Sequence, residues 1–239
     1  MCRPWLKTAQ VLSTVLVAVT MLLFPLPSAA QMGDLPDLLS GDLSGSNVDH
    51  SAEWDAMARQ IDLTGLWPFI DVLLDADPVS YVHPSTGRLY LFWAKWNGMF
   101  SEIVFASRPT GGAWGQVKKV EPVPSSTYNN VTPDVVADAD GRVNVVWTRE
   151  SDSGGVVFHS LTVSGFWTVP LRLSGPEDAR RPLIWVQGIS TFVSYVTPTD
   201  EYIVEVVVTI FGSSGGSDDI DPTEVNVTSS QVAQLPRLR

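Results

Sequence analysis

From about residue 75 onward, apolar and polar positions alternate in short runs, each closed by Gly, Pro, Asn or Asp. Alternation at period two puts successive side chains on opposite faces of a pleat, so these runs predict short β-strands joined by turns. The runs also repeat. Pro78-Val-Ser-Tyr-Val-His-Pro-Ser-Thr-Gly87-Arg88-Leu-Tyr-Leu-Phe-Trp93 is matched by Pro133-Asp-Val-Val-Ala-Asp-Ala-Asp140-Gly141-Arg142-Val-Asn-Val-Val-Trp147. Both read proline, strand, polar turn, Gly-Arg, alternating strand, tryptophan. The second halves match too. Residues 102–107 lead to Gly111-Gly112-Ala113-Trp114, and residues 156–160 lead to Ser164-Gly165-Phe166-Trp167. A further alternating run follows each tryptophan, at 116–120 and 168–173. A third unit opens at Arg181-Pro182, continues through 191–196 and 202–211, and lacks the serine-to-tryptophan element.

Each unit is four short strands in about 50 residues, too little to bury its own sheet faces, so it must stack on neighbours. The prediction is an all-β chain of four-stranded antiparallel blade repeats. It is a partial β-propeller with three recognisable blades, at 75–122, 130–175 and 180–212 within a repeat domain at 75–212. A closed ring takes at least about four blades. Three leave two sheet faces open, which predicts self-association through them. Residues 66–73 and 224–228 are the segments available to extend the stack. Residues 213–239 read as a polar C-terminal tail.

The chain ahead of the repeats has a different texture. Arg3 and Lys7 precede an apolar run from Val11 to Leu26, then Pro27-Ser28-Ala29-Ala30. That order is the pattern of a secretory signal peptide at 1–30, cleaved near Ala30, and it predicts a secreted or extracytoplasmic protein. The run falls short of the roughly 20 residues a spanning helix needs, and prolines break its end, so no integral membrane segment is expected after cleavage. Residues 31–50 form an acidic Gly/Ser/Asp spacer with no basic residue. Residues 51–74 are a short helix and strand lead-in, with the helix over 52–60, Ser51 as its N-cap, and Trp54 and Met57 on one face.

Charge and composition narrow the function classes. The chain has 15 basic and 26 acidic residues, and a net charge of −11. Nucleic acid is excluded as a general partner, because phosphate binding needs a surplus of Lys and Arg. The single cysteine, Cys2, precedes the apolar run, so neither a lipid-attachment cysteine, a disulfide framework nor a Cys-rich zinc site is expected.

The serine-to-tryptophan element resembles the Asp-box, or bacterial neuraminidase repeat, whose pattern is Ser-x-Asp-x-Gly-x-Thr-Trp. Here it reads Ser107-Arg-Pro109-Thr-Gly111-Gly-Ala113-Trp114 and Ser160-Leu-Thr162-Val-Ser164-Gly-Phe166-Trp167. Ser107, Gly111, Trp114, Ser160 and Trp167 keep the pattern and have a structural role by this resemblance. The aspartate has become Pro109 and Thr162. The blade opening 133–147 is also similar to that of secreted sialidase-like propellers, and the resemblance covers about 75–212. It implies a sialidase-like β-propeller. In the enzymes of that family three arginines clamp the substrate carboxylate beside a Tyr–Glu pair and an acid/base Asp. The Phe/Tyr-Arg-Ile-Pro motif that supplies the first arginine is absent; Ala179-Arg180-Arg181-Pro182 is the nearest string and stands in a blade opening. No catalytic residue, cofactor or metal is therefore assigned. The expected function is non-catalytic binding of a glycan or a cell-surface protein, with a divergent or truncated exo-sialidase as the alternative.

Trp93, Trp96 and Trp185 are sugar-stacking candidates; Trp96 and Trp185 are retained as ligand-stacking residues, Trp96 because it lies beside Asn97-Gly98 past a strand end. Asp75-Ala-Asp77, Asp138-Ala-Asp140-Gly141 and Asp218-Asp219-Ile-Asp221 lack the further oxygens of a calcium loop and read as turns or linker. His50, His83 and His159 sit near no Gly-x-Ser-x-Gly elbow. Glu102, Glu150 and Asp152 are expected near strand ends, facing solvent. Asn130-Val-Thr132 and Asn226-Val-Thr228 are glycosylation acceptor triplets.

Overall fold

The computed structural model describes residues 49–121, 128–175, 178–210 and 225–236. The leader, nearly all of the acidic spacer and the Asp218–Asp221 cluster lie outside the described residues. Three antiparallel sheets follow in chain order, as the repeats predict. The first runs β1 (Ala76–Val82), β2 (Leu89–Trp96), β3 (Ser101–Arg108) and β4 (Lys118–Lys119). The second runs β5 (Asn129–Ala137), β6 (Val143–Ser151), β7 (Gly154–Val163) and β8 (Phe166–Trp167), with β9 (Leu171–Arg172) also paired to β7. The third runs β10 (Arg180–Gln187), β11 (Ser190–Val196), β12 (Asp200–Ile210) and β13 (Val225–Pro236). The described residues do not close a ring.

Stacking follows from period two. Along β2, Leu91 and Trp93 point to one face of the first sheet, and Phe92 and Ala94 to the other. Phe92, Ala94 and Ile103 meet Val135, Val143, Val145 and Trp147 of the second sheet. Val146 and Val157, on the second sheet's other face, meet Ile184, Val193, Tyr195, Val204 and Val206 of the third. Trp167 closes the first junction, edge-on to Phe92 at 6.0 Å and to Phe105 at 5.4 Å.

The lead-in corrects the expectation of two open faces. Helix α1 (Ser51–Gln60) lays Trp54 and Met57 on the free face of the first sheet. Leu63 and Leu66 join them over Leu91, Trp93, Val104 and Ala106. Trp54 meets Trp93 edge-on at 6.0 Å. The cap differs too: His50 is the N-cap and Ser51 the first helical residue, whose N–H donates to Asp49 Oδ1 at 2.9 Å. Residues 66–73 add no strand. Pro68 sets a 3-10 turn over Trp67–Phe69, and Asp71 turns the chain into β1.

A second correction concerns the tail. Residues 225–236 are strand β13, antiparallel to β12 from Ile210↔Val225 to Asp200↔Pro236. Of residues 224–228, expected to be available for a further blade, 225–228 instead supply the start of the third blade's outermost strand. The strand carries polar, exposed side chains at Thr228, Ser229, Ser230 and Gln231. Backbone pairing with β12 specifies it, not an apolar face.

One device recurs in the first strand of every sheet. Asp77, Thr132 and Arg181 each precede a proline and take φ of 53°, 50° and 53°. Each sits at a register break, between Ala76 and Val79, Val131 and Asp134, and Arg180 and Leu183. Proline has no N–H for the ladder, and the pairing breaks into a bulge there. The three first strands lie side by side, β5 between β1 and β10.

Candidate functional site

Carboxylates tie the first strands together. Glu53 of the lead-in accepts from Asp77 N–H at 2.9 Å. Asp77 accepts from Thr132 N–H at 2.8 Å, and Asp134 accepts from Ile184 N–H at 2.8 Å. Burial pushes the Asp77 and Asp134 carboxyls up, and these N–H bonds pull them partly back. Burial also raises Glu150, against the pull of Arg180, whose guanidinium binds it at 2.9 Å. These acids are backbone acceptors or arginine partners. Among the described residues no group of three His, Cys, Asp or Glu is placed to hold a metal ion.

The arginines do not converge. Arg142 binds Asp138 at 2.7 Å and Asp140 at 2.6 Å. Arg149 pairs with Glu121, Arg180 with Glu150 and Asp178, and Arg108 with Asp62. Asp138 also caps its own turn, accepting from Asp140 N–H and Arg142 N–H, which is the turn the sequence indicates. Asp75 is different. It is fully buried and accepts from Asp71 N–H, Trp96 N–H, Trp93 Nε1 and Lys95 Nζ, fastening the lead-in to the first sheet. The sequence reads Asp75-Ala-Asp77 as a turn and gives Asp75 no fastening role, and it does not mark the left-handed residues before proline. The repeated X-Pro pair was the available signal for the latter; nothing in a single sequence announces Asp75.

The two stacking candidates lie on different sheets. Trp96 ends β2, half-buried, beside a tight loop in which Asn97 Oδ1 accepts from Met99 N–H and Phe100 N–H. Trp185 lies on the third sheet, half-buried and stacked on Phe192 at 5.7 Å and 21°. The second sheet stands between them, so no single ligand ring bridges both. Trp93 is fully buried and belongs to the core.

Of the Asp-box-like residues, Ser107 and Ser160 sit near the ends of β3 and β7, Gly111 in the turn that follows β3, and Trp114 and Trp167 at packing junctions. Ser107 O accepts from Gly115 N–H, and Ser107 Oγ from Arg88. Gly111 takes φ 69°. Trp114 donates to Asp62 O at 3.0 Å and lies under Arg108, so it packs on the lead-in as Trp167 packs on the first sheet. Ser160 is buried and donates to Thr168 O at 2.8 Å. Ser164 holds the glycine position with φ 49°.

The remaining candidates are absorbed by structure. Glu102 is held by Lys119, and Asp152 is exposed. His50 contacts Glu53, and His83 Nε2 bonds Gly141 O at 2.8 Å across the first two sheets. His159 is fully buried, with Nε2 on Asn144 Oδ1 at 2.9 Å and Nδ1 unpartnered. Asn130 is 2% exposed and holds Trp147 Nε1 and Arg149 on its carbonyl oxygen, which corrects its reading as an acceptor for glycosylation in the folded chain. Asn226 stands in β13.

Among the described residues, two apolar surfaces stay uncovered. One is the outside of the lead-in, with Trp67, Phe69 and Leu73 all at least 42% exposed. The other is the outer face of the third sheet, where Leu183 is 58% and Val207 42% exposed around the Trp185–Phe192 stack. No helix among the described residues is long and apolar enough to cross a membrane. No protein-family model matches the chain, and no curated protein is significantly similar to it.

Proposed function

We propose that the chain is an exported, non-catalytic module of the sialidase-like blade type that binds a glycan or protein partner at or outside the cell surface. The observation that supports it is the outer face of the third sheet. The internal sheet faces on either side of the second sheet are packed against a neighbouring sheet, and the first sheet's free face carries the lead-in. The face bearing Leu183, Trp185 and Val207 has the same aromatic and aliphatic make-up and is left in solvent. Its best-fitting occupant is another sheet, and a second copy of the chain supplies one. Light scattering tests this: the expected result is a discrete dimer that Leu183→Lys returns to monomer. A wild-type monomer, or a dimer indifferent to Leu183→Lys, removes this face as the docking surface.

The enzymatic alternative, a divergent exo-sialidase, draws on one feature, the raised Glu150 carboxyl beside Arg180. Against it stands the state of Arg108, Arg142, Arg149 and Arg180, which are spent on this chain's own acids on separate sheets rather than collected in one place. Turnover of a fluorogenic sialoside that Glu150→Gln abolishes would favour the enzyme.

A further inference from the structure

A cleft of about 300 Å³ opens between the second and third sheets. It lies on the side of the third sheet opposite the Trp185 face, so it is independent of the docking surface proposed above. Its wall is the cross-strand pair Tyr195 and Tyr202, stacked at 5.4 Å and 15°. Leu173, Ala179 and Val204 add an apolar floor. Its rim carries neutral polar groups, chiefly Ser174, Ser229 and Gln231. Ser229 and Gln231 are exposed on β13, while Ser174 Oγ accepts from Val157 N–H and keeps its own O–H to donate.

We propose that this cleft binds a neutral sugar ring. The volume stands at the lower end of the range for small-ligand sites, which suits one or two rings. Among the described residues no Asp, Glu, Lys or Arg lines it, so these residues offer an ionised ligand no counter-charge to offset its lost hydration. A pyranose combines apolar C–H faces with a fringe of hydroxyls that both donate and accept. The aromatic and aliphatic wall matches the first, and the Ser and Gln rim matches the second. Arg172 does not enter this chemistry: its guanidinium donates to Ser174 O and Gly175 O and holds the lip in shape.

Saturation-transfer NMR on the full chain tests the proposal. The probes are the methyl glycosides of glucose, galactose, mannose and N-acetylglucosamine, with N-acetylneuraminate as the charged comparison, each at about 1–10 mM. At least one neutral glycoside is expected to take up saturation, and N-acetylneuraminate none. Ser229→Trp fills the mouth from an exposed strand position and should weaken the signal about tenfold or more, with an unchanged circular dichroism spectrum and Tm. Silence from every neutral glycoside overturns the proposal. So does a signal that persists in Ser229→Trp, which would place sugar binding elsewhere, on Trp96 or Trp185. A preference for N-acetylneuraminate overturns the neutral-ligand assignment.

Discussion

Asp75→Ala is the substitution that most directly tests how the lead-in is held. Asp75 is 0% exposed, and its carboxylate gathers four donors. These are Trp96 N–H at 3.0 Å, Asp71 N–H at 3.1 Å, Lys95 Nζ at 3.1 Å and Trp93 Nε1 at 3.3 Å. In the variant Lys95 can turn to water, since its side chain is 33% exposed. Trp93 Nε1 loses its acceptor inside the core and Trp96 N–H at a half-buried strand end, whereas Asp71 is exposed and its N–H can turn to water. Each orphaned donor costs about 1–3 kcal/mol. Neighbouring losses do not add fully, and removing a buried charge returns some desolvation energy. The expected net loss is about 2–4 kcal/mol, a large part of a typical domain's stability. At a urea slope of about 2 kcal/mol per M, the midpoint should fall by roughly 1–2 M. Asp75→Asn keeps one carbonyl oxygen but turns an NH₂ toward other donors, so it should fall between wild type and Asp75→Ala. Trp54 and Trp93 lie within the junction, so tryptophan fluorescence should report its loosening ahead of the far-UV dichroism of the sheets. An Asp75→Ala midpoint within about 1 kcal/mol of wild type, at unchanged slope, would refute the latch.

Three further outcomes follow from named groups. Burial lowers His159 to about 3, below its ordinary 6.5, so its stabilising contribution is complete above pH 6.5 and is lost as pH falls toward 3. Urea midpoints at pH 7.5 and 4.5 should diverge by up to about 1.4 kcal/mol per pH unit in wild type, and less in His159→Gln, which can still donate to Asn144. Asp134 is shifted the other way: its raised carboxyl stabilises most at low pH and loses that contribution as pH rises from 3.8 through its folded value. Asp134→Asn keeps an oxygen for Ile184 N–H, so it should match or exceed wild type at pH 7, and a loss above about 1 kcal/mol there would contradict the burial argument. Arg181 is exposed in the left-handed region, so Arg181→Gly should raise stability by about 0.5–1 kcal/mol in thermal unfolding, and a lowered Tm would mean the side chain has a partner.

The blades were legible because each central strand buries both faces. Leu91 and Trp93 serve one neighbour, Phe92 and Ala94 the other, and that demand writes a dense apolar run into the chain. Strand β13 was not legible, because its exposed Thr228, Ser229, Ser230 and Gln231 satisfy no core and its place is set by backbone bonds to β12. The lead-in helix was legible through Trp54 and Met57, but its target was not: helix periodicity names a buried face without naming what buries it. Trp96 and Trp185 were singled out by position along strands. The cleft at Tyr195 and Tyr202 was missed because its lining comes from four separated segments that only folding brings together.

The acids at the first strands deserve a structural rather than a chemical explanation, and the prolines supply it. Just before Pro78, Pro133 and Pro182, the residues Asp77, Thr132 and Arg181 leave the ordinary strand conformation, at about 1–2 kcal/mol each. The bulge breaks the ladder and frees backbone N–H groups that point sideways instead of at a paired strand. Those groups need acceptors where neighbouring strands crowd out water, and a carboxylate is the strongest acceptor a side chain offers. Glu53 meets Asp77 N–H, Asp77 meets Thr132 N–H, and Asp134 meets Ile184 N–H. The buried acids that a survey for perturbed groups would mark as catalytic are thus accounted for by the geometry of the strand openings. With that chemistry committed to joining blade to blade, the described groups left to meet a partner are apolar and neutral ones: the outside of the lead-in at Trp67, Phe69 and Leu73, the outer face of the third sheet, and the tyrosine-walled cleft behind it.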